Sequence, residues 1–167
     1  MGSENFKILL VDDEPDILEI ISYTLKSDGY LVYTAENGVK AIKLAKKIKP
    51  HLIILDLMMP EMDGIEACEI IRNDSEIGNA LIVFLSARGE DYSQVAGFNA
   101  GADDYITKPI KPKLLKSKIK SLLRRISQDE REVIKIGSLI IDRSGYKVSL
   151  NGKDISLPRK EFELLFL

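Results

Sequence analysis

Four residues of this chain, Asp12, Asp13, Asp56 and Lys108, have the types and positions that phosphoryl chemistry requires. Asp56 ends the apolar run Leu52-Ile53-Ile54-Leu55, and Asp12-Asp13 end the similar run Ile8-Leu9-Leu10-Val11. A carboxylate at the mouth of a buried strand is costly to place unless it has a partner or a task. Clustered carboxylates suit Mg²⁺, which takes oxygen ligands in near-octahedral geometry and usually keeps several waters. Asp13 and Asp56 can ligate directly, Asp12 can hold a water, and a backbone carbonyl just past Asp56 can fill another position. A bound cation offsets the repulsion between carboxylate and phosphate, so a carboxylate can act as nucleophile toward phosphorus. Lys108 supplies a point charge for the transferred group. The Ser86 hydroxyl, closing the run Leu81–Leu85, can donate to a phosphoryl oxygen.

Each residue also has a plainer reading. Asp13-Glu14-Pro15-Asp16 makes a good helix start, with an N-cap, an early proline and an acidic first turn. Ser86 can simply end a strand, Lys108 can sit in a solvated loop, and Tyr105 can pack on a sheet. Their joint placement at the C-terminal ends of different strands favours a common site. His51 and Cys68 lack partners of metal-site or nucleophile type and read as structural.

The elements that must position these groups are legible from periodicity. Lys7–Val11, Leu52–Leu55 and Leu81–Leu85 are nearly continuous apolar runs, as in parallel strands buried on both faces. Leu31–Ala35 and Tyr105–Ile106 are weaker and suit sheet edges. Between them, helical spacing joins Ile17, Ile20, Ile21, Thr24 and Leu25, then Ala41, Ile42, Ala45 and Ile48. Ile65, Cys68 and Ile71 mark a third helix, Val95 and Phe98 a fourth, and Leu115, Ile119, Leu122, Leu123 and Ile126 a fifth. Five strands alternating with five helices predict a flavodoxin-like α/β fold with a parallel sheet. In that order the first and third strands are neighbours where the winding reverses, and ligands bind beyond their carboxyl ends.

Beyond the polar segment 127–132 the period changes to two. Val133–Ile136, Leu139–Ile141, Tyr146–Leu150 and Lys153–Ser156 read as short strands of a small antiparallel segment. Gly137-Ser138, Ser144-Gly145 and Asn151-Gly152 join them, Asn-Gly being the strongest hairpin signal. Pro158 then opens an amphipathic helix with Phe162, Leu165 and Phe166 on one face. The expected division is 5–126, a linker 127–132, and 133–167 as the incomplete beginning of a second domain, since about forty residues rarely bury a full core.

The chain has 167 residues, 45% of them hydrophobic, enough for a sizeable core. Its net charge of −2 hides a division: residues 1–110 carry 10 Lys+Arg against 19 Asp+Glu (−9), and 111–167 carry 14 against 7 (+7). An acidic module followed by a basic segment that can face an acidic partner is the implied arrangement. One cysteine, no secretory signal and no membrane-length apolar run lead to the expectation of a cytoplasmic protein.

Four motifs in order, Val11-Asp12-Asp13-Glu14, Asp56 through Gly64, Leu85-Ser86-Ala87-Arg88 and Gly101 through Pro109, closely resemble the receiver domains of bacterial two-component response regulators. The resemblance covers about residues 5–126. It implies that Asp56 is the phosphoacceptor, charged by a sensor histidine kinase. It further implies that Asp12, Asp13, Asp56 and the Met58 backbone carbonyl organise Mg²⁺, and that Lys108 contacts the phosphoryl group. The peptide bond before Pro109 is expected to be cis. Ser86 and Tyr105 are expected to form a switch pair, the hydroxyl moving toward phosphate and the ring turning inward.

The segment Ile134–Leu157 followed by Pro158-Arg159-Lys160-Glu161-Phe162 resembles the start of the winged-helix effector in OmpR/PhoB-type transcription factors, with Pro158 where threonine or serine is more usual. The recognition helix and wing are absent, so DNA binding is expected only of a full-length form. The subfamily pairs as homodimers through the fourth helix, fifth strand and fifth helix. Asp104, Lys118 and Lys120 match that face, whereas Gln94 replaces a typical basic residue and Leu114 a typical glutamate. The expected function is therefore a phosphorylation switch controlling transcription, not a turnover enzyme; it promotes only its own phosphorylation and slow dephosphorylation. A phosphohydrolase needs an acid two residues past the nucleophile, where this chain has Met58. A flavin carrier needs a hydroxyl-rich loop where it has Asp12-Asp13-Glu14. A phosphorylation-independent adaptor is the alternative.

Overall fold

Period-two alternation inside apolar strands gives a sheet two greasy faces, and helices must cover both. The computed structural model, which describes residues 6–87, 99–128, 133–142 and 147–164, shows this arrangement. Strands β1 (Lys7–Val11), β2 (Leu31–Ala35), β3 (Leu52–Asp56), β4 (Leu81–Ser86) and β5 (Asp104–Thr107) form one parallel sheet in the order β2-β1-β3-β4-β5. All of β3 and β4 is buried, while β2 at one edge is partly exposed, as its weaker pattern implies.

Alternate strand residues feed two cores. Leu9, Val11, Ile53, Leu55, Ile82 and Phe84 pack with Ala41 and Ala45 of α2 (Gly38–Ile48) and Ala67, Cys68 and Ile71 of α3 (Gly64–Arg72). Ile8, Leu10, Leu52, Ile54, Val83 and Leu85 pack with Ile21 and Leu25 of α1 (Pro15–Ser27) and with Leu115, Ile119 and Leu122 of the Pro112–Gln128 helix. That last helix is the expected fifth; the fourth, marked by Val95 and Phe98, lies outside the described residues. Val11 pairs with Leu55 and Asp56 with Leu85, so the register brings the strand ends carrying Asp12, Asp56 and Ser86 to one mouth.

Helix starts follow local chemistry. Asn37 accepts the Lys40 N–H and Asp63 the Glu66 N–H, both at 2.8 Å, capping α2 and α3. Within the expected start Asp13-Glu14-Pro15-Asp16, the cap position of α1 is Glu14, which makes no side-chain cap. Asp12 Oδ1 instead takes the Glu14 N–H at 2.8 Å, which leaves Asp13 exposed and available to the mouth.

A separate antiparallel sheet follows, β6 (Val133–Ile136), β7 (Leu139–Asp142), β8 (Lys147–Leu150) and β9 (Lys153–Ile155), in sequential order. At Asn151-Gly152 both residues have positive φ, 55° and 79°, the twist that a tight hairpin requires. A short helix, Arg159–Glu163, begins after Pro158, which is its cap rather than its first residue. Phe162 is buried as expected, while Leu165 and Phe166 lie outside the described residues. No helix among the described residues is long and apolar enough to cross a membrane.

Candidate functional site

Three carboxylates converge at the mouth of the parallel sheet. Asp12, Asp13 and Asp56 each bring an oxygen within 4.8 Å of the others. Asp12 is fully buried and Asp56 only 4% exposed, because β1 and β3 run through the centre of the sheet; Asp13 faces solvent. Lys108 reaches in from the end of β5, its Nζ 3.2 Å from Asp12, 3.5 Å from Asp56 and 3.6 Å from Glu14. The Lys108 N–H donates to the Ser86 carbonyl at 2.7 Å, and the following bond to Pro109 is cis, as expected.

The electrostatics are those of a cluster short of positive charge. Burial, and then Asp12, push the Asp56 carboxyl up to about 7 against the pull of Lys108 and the Met58 N–H, with Asp13 adding to the rise. Burial likewise raises Asp12, although its bond from the Glu14 N–H and the ammonium of Lys108 oppose it. For Lys108 burial acts downward, but Asp56, Asp12 and Glu14 together leave it raised, hence firmly cationic. One lysine among three aspartates, two of them buried, is a donor set that fits a hard divalent cation.

Around the acids the backbone is held closely. Met58 N–H lies 3.3 Å from Asp56 Oδ1, while the Met58 side chain is exposed beside the mouth. Past it, Glu61 adopts φ 69°, and the chain turns into α3 at Gly64. A Cβ on Gly64 would stand 2.3 Å from the Asp56 carbonyl oxygen, so only glycine lets α3 start against that peptide. Sequence reasoning assigned Glu14 and Gly64 no role; their nearness to Asp13 and Asp56 in the motifs was the available signal.

Ser86 Oγ is buried and has no hydrogen-bond partner. Tyr105 is 7% exposed, its ring 5.7 Å from that of Phe84. Asp104 and Lys118 meet within the one chain, at 3.3 Å, and Lys118 also donates to the Tyr105 carbonyl at 2.8 Å. Lys120 and Leu114 are exposed on the same helix; Gln94 and Arg88 lie outside the described residues. The plain reading of the other two candidates holds. His51 Nδ1 accepts the Lys7 N–H at 3.0 Å, and burial pushes the Cys68 thiol up to about 11.

The comparisons with known proteins agree with this geometry. Residues 8–120 match the response regulator receiver domain model. The chain belongs to the response regulator family. Over 165 residues it is 38% identical to the DNA-binding response regulator MtrA of Mycolicibacterium smegmatis, covering 99% of this chain and 71% of MtrA. It is 40% identical to the alkaline phosphatase synthesis transcriptional regulatory protein PhoP of Bacillus subtilis, over 96% of this chain and 70% of PhoP. Among solved structures, the Thermotoga maritima OmpR/PhoB homologue DrrB matches 99% of this chain and 71% of its own, with 36% identity and a TM-score of 0.63. The Vibrio cholerae chemotaxis regulator CheY4 matches 70% of this chain and 98% of its own, with 32% identity and a TM-score of 0.67. This response regulator thus has a CheY-like receiver fold followed by a separate antiparallel sheet, and OmpR/PhoB-type regulators are among its relatives. Its relatives are signalling proteins and transcriptional regulators, which accords with a switch that acts by changing state.

Proposed function

We propose that Asp56 is the phosphoacceptor of this response regulator. Its carboxylate oxygen attacks the phosphorus of a phosphohistidine on a sensor kinase. The new O–P bond forms as the P–N bond breaks, the imidazole leaves with the bonding pair, and Asp56 becomes an acyl phosphate. The observation that carries this reading is a nearly buried carboxyl raised to about 7, set between two acids and a lysine. A nucleophile must be ionised, and Lys108 favours the ionised form. Asp12, Asp13, Asp56 and the Met58 carbonyl would hold Mg²⁺, which supplies charge neutralisation for the incoming phosphoryl group. Lys108 neutralises one transferred oxygen, and Ser86 has an unused hydroxyl to offer another. Phosphorylation adds roughly −1.5 to −2 charge, and the switch pair Ser86 and Tyr105 conveys it by a population shift.

Residues 5–126 act as the receiver, 127–132 as a linker and 133–167 as part of an effector of the kind found in DNA-binding relatives such as MtrA. Activated molecules pair through the face bearing Asp104, Lys118 and Lys120. Exposed ion pairs contribute only about 0–1 kcal/mol each, so the loss of typical partners at Gln94 and Leu114 alters selectivity more than pairing itself. Dimers after beryllofluoride treatment, seen by light scattering, are the expected result; a monomer at high concentration would refute this face.

The central test is incubation with Mg²⁺ and acetyl phosphate followed by intact-mass measurement. One phosphoryl adduct is expected on the wild type and none on Asp56→Asn. An adduct that persists in the variant, or none on the wild type, would sink the assignment.

A further inference from the structure

A second buried charge centre lies at the far end of the parallel sheet from Asp56. Arg72, at the close of α3, is 1% exposed, and its Nη2 sits 2.9 Å from Asp103 Oδ2. Its Nε donates to the Gly101 carbonyl at 2.8 Å, and its Nη1 to the carbonyls of Gly78, at 3.0 Å, and Ala80. Asp103 Oδ2 also takes the Ile82 N–H at 2.8 Å, tying the start of β4 to the residue before β5. This pair is balanced and heavily hydrogen-bonded without outside help.

A second guanidinium is nevertheless seated on it. Arg159, the first residue of the short helix after β9, places Nη1 2.9 Å from Asp103 Oδ2 and Nη2 2.7 Å from Oδ1. Its Nε donates to Glu163 Oε1 one turn along, at 2.9 Å. Beside this contact Ser156 Oγ donates to the Ser75 carbonyl at 2.8 Å. Gly78 is required first by its own turn, where a Cβ would stand 2.5 Å from the Asp74 carbonyl oxygen and 2.9 Å from that of Arg72, and the Arg159 nitrogen lies 3.3 Å from the same point. Phe162, on the same helix, is 1% exposed.

We propose that this end of the receiver is a reversible docking site for the chain's own Arg159–Glu163 helix, recognised by the two-pronged contact of Arg159 on Asp103 and by burial of Phe162. A bidentate guanidinium–carboxylate contact fixes orientation as well as proximity. A helix of five residues has no stability of its own, so its form depends on what it packs against. Reversibility follows from the charges. Asp103 keeps Arg72 when the helix leaves, and Arg159 keeps Glu163. Neither side is left holding an uncompensated buried charge, the circumstance that makes most buried pairs hard to part. While docked, the helix is withdrawn from every other surface, so any other role it plays competes with this seat. The proposal does not depend on Asp56 chemistry, which lies at the opposite end of the strands.

Amide hydrogen exchange by NMR on the 167-residue chain tests it, comparing wild type, Arg159→Lys and Arg159→Asp. The Phe162 N–H, bonded to the Pro158 carbonyl at 3.1 Å, is expected to be protected in the wild type. In Arg159→Asp, where an acid faces Asp103, it is expected to exchange at least tenfold faster. Arg159→Lys, which keeps the charge and loses the fork, should fall between them. The amides of Ile53, Ile54 and Leu55 in β3 should be unchanged throughout. Equal Phe162 exchange in wild type and Arg159→Asp would overturn the proposal. Faster exchange in β3 would overturn it too, since Arg159 would then belong to the receiver's own fold and not to a detachable contact.

Discussion

The two ends of the parallel sheet bury charge in opposite ways. At the carboxyl ends, Asp12 and Asp56 are closed off from water with Asp13 beside them, and among the described residues Lys108 is the cation that reaches in to oppose them. At the amino ends, Asp103 meets Arg72 in a pair held further by backbone groups and, on Asp103, by the guanidinium of Arg159. The first end is under-compensated and the second satisfied. A satisfied centre resists change, whereas an under-compensated one gains from any cation or covalent group that relieves it. Within one sheet the contrast separates the part built to respond from the part built to stay.

The sharpest way to break the comparison is Arg72→Ala. Removing Arg72 leaves Asp103 with Arg159 alone and three carbonyls, of Gly78, Ala80 and Gly101, without their donor, so a loss of about 3–5 kcal/mol is expected, read as a lowered urea midpoint. A loss below about 1 kcal/mol would mean that the amino end is not the anchored one.

The opposite sign is expected at the carboxyl end. Asp56 has its folded value raised from 3.8 to about 7, so between those pH values the folded state holds a proton that the unfolded state has released. Stability from this group is therefore full below about pH 4 and declines as pH rises toward 7. Asp56→Asn carries no such penalty. In metal-free buffer at pH 8 it should be more stable than wild type by on the order of 3 kcal/mol. The advantage should shrink toward pH 4, and also on adding Mg²⁺, which relieves the wild type. Urea unfolding at both pH values, with and without the ion, reads the difference.

The smallest effect concerns His51, which lies on the satisfied end. Burial, and then Lys7, lower its value, and its Nδ1 must stay unprotonated to accept the Lys7 N–H. A lowered histidine contributes stability above its unfolded value near 6.5 and loses it as pH falls. Wild type should lose up to about 1 kcal/mol more than His51→Asn between pH 7.5 and 5.5. No difference in thermal unfolding between the two would show that this contact is not neutral in the folded state.

The sequence made the responsive end more legible than the anchored one, for a physical reason. Asp12, Asp13 and Asp56 sit directly after apolar runs, where an acid contradicts its surroundings and so announces a task. Arg72 closes an amphipathic helix, where a basic residue complements the helix dipole and needs no further account. The turn Asp74–Ala80 and the distant Gly101 peptide, brought together by the fold, set backbone carbonyls around it. The nine described strands were readable from periods of two and from apolar runs, because those patterns are set by burial on each face. The cap of α1 was not, since Asp13 and Glu14 are both acids just before Pro15 and the bond from the Glu14 N–H to Asp12 is seen only in the fold. The buried ring of Tyr105 and the seat of Arg159 depend on contacts between distant elements, which no local pattern carries.

Gly64 gives the mouth a direction. With the start of α3 pressed against the Asp56 peptide, there is no space behind that residue into which it can recoil. Under the proposed role, the room for a group added to that carboxylate would therefore lie on the side of the mouth from which Lys108 approaches, 3.5 Å away, and not behind β3.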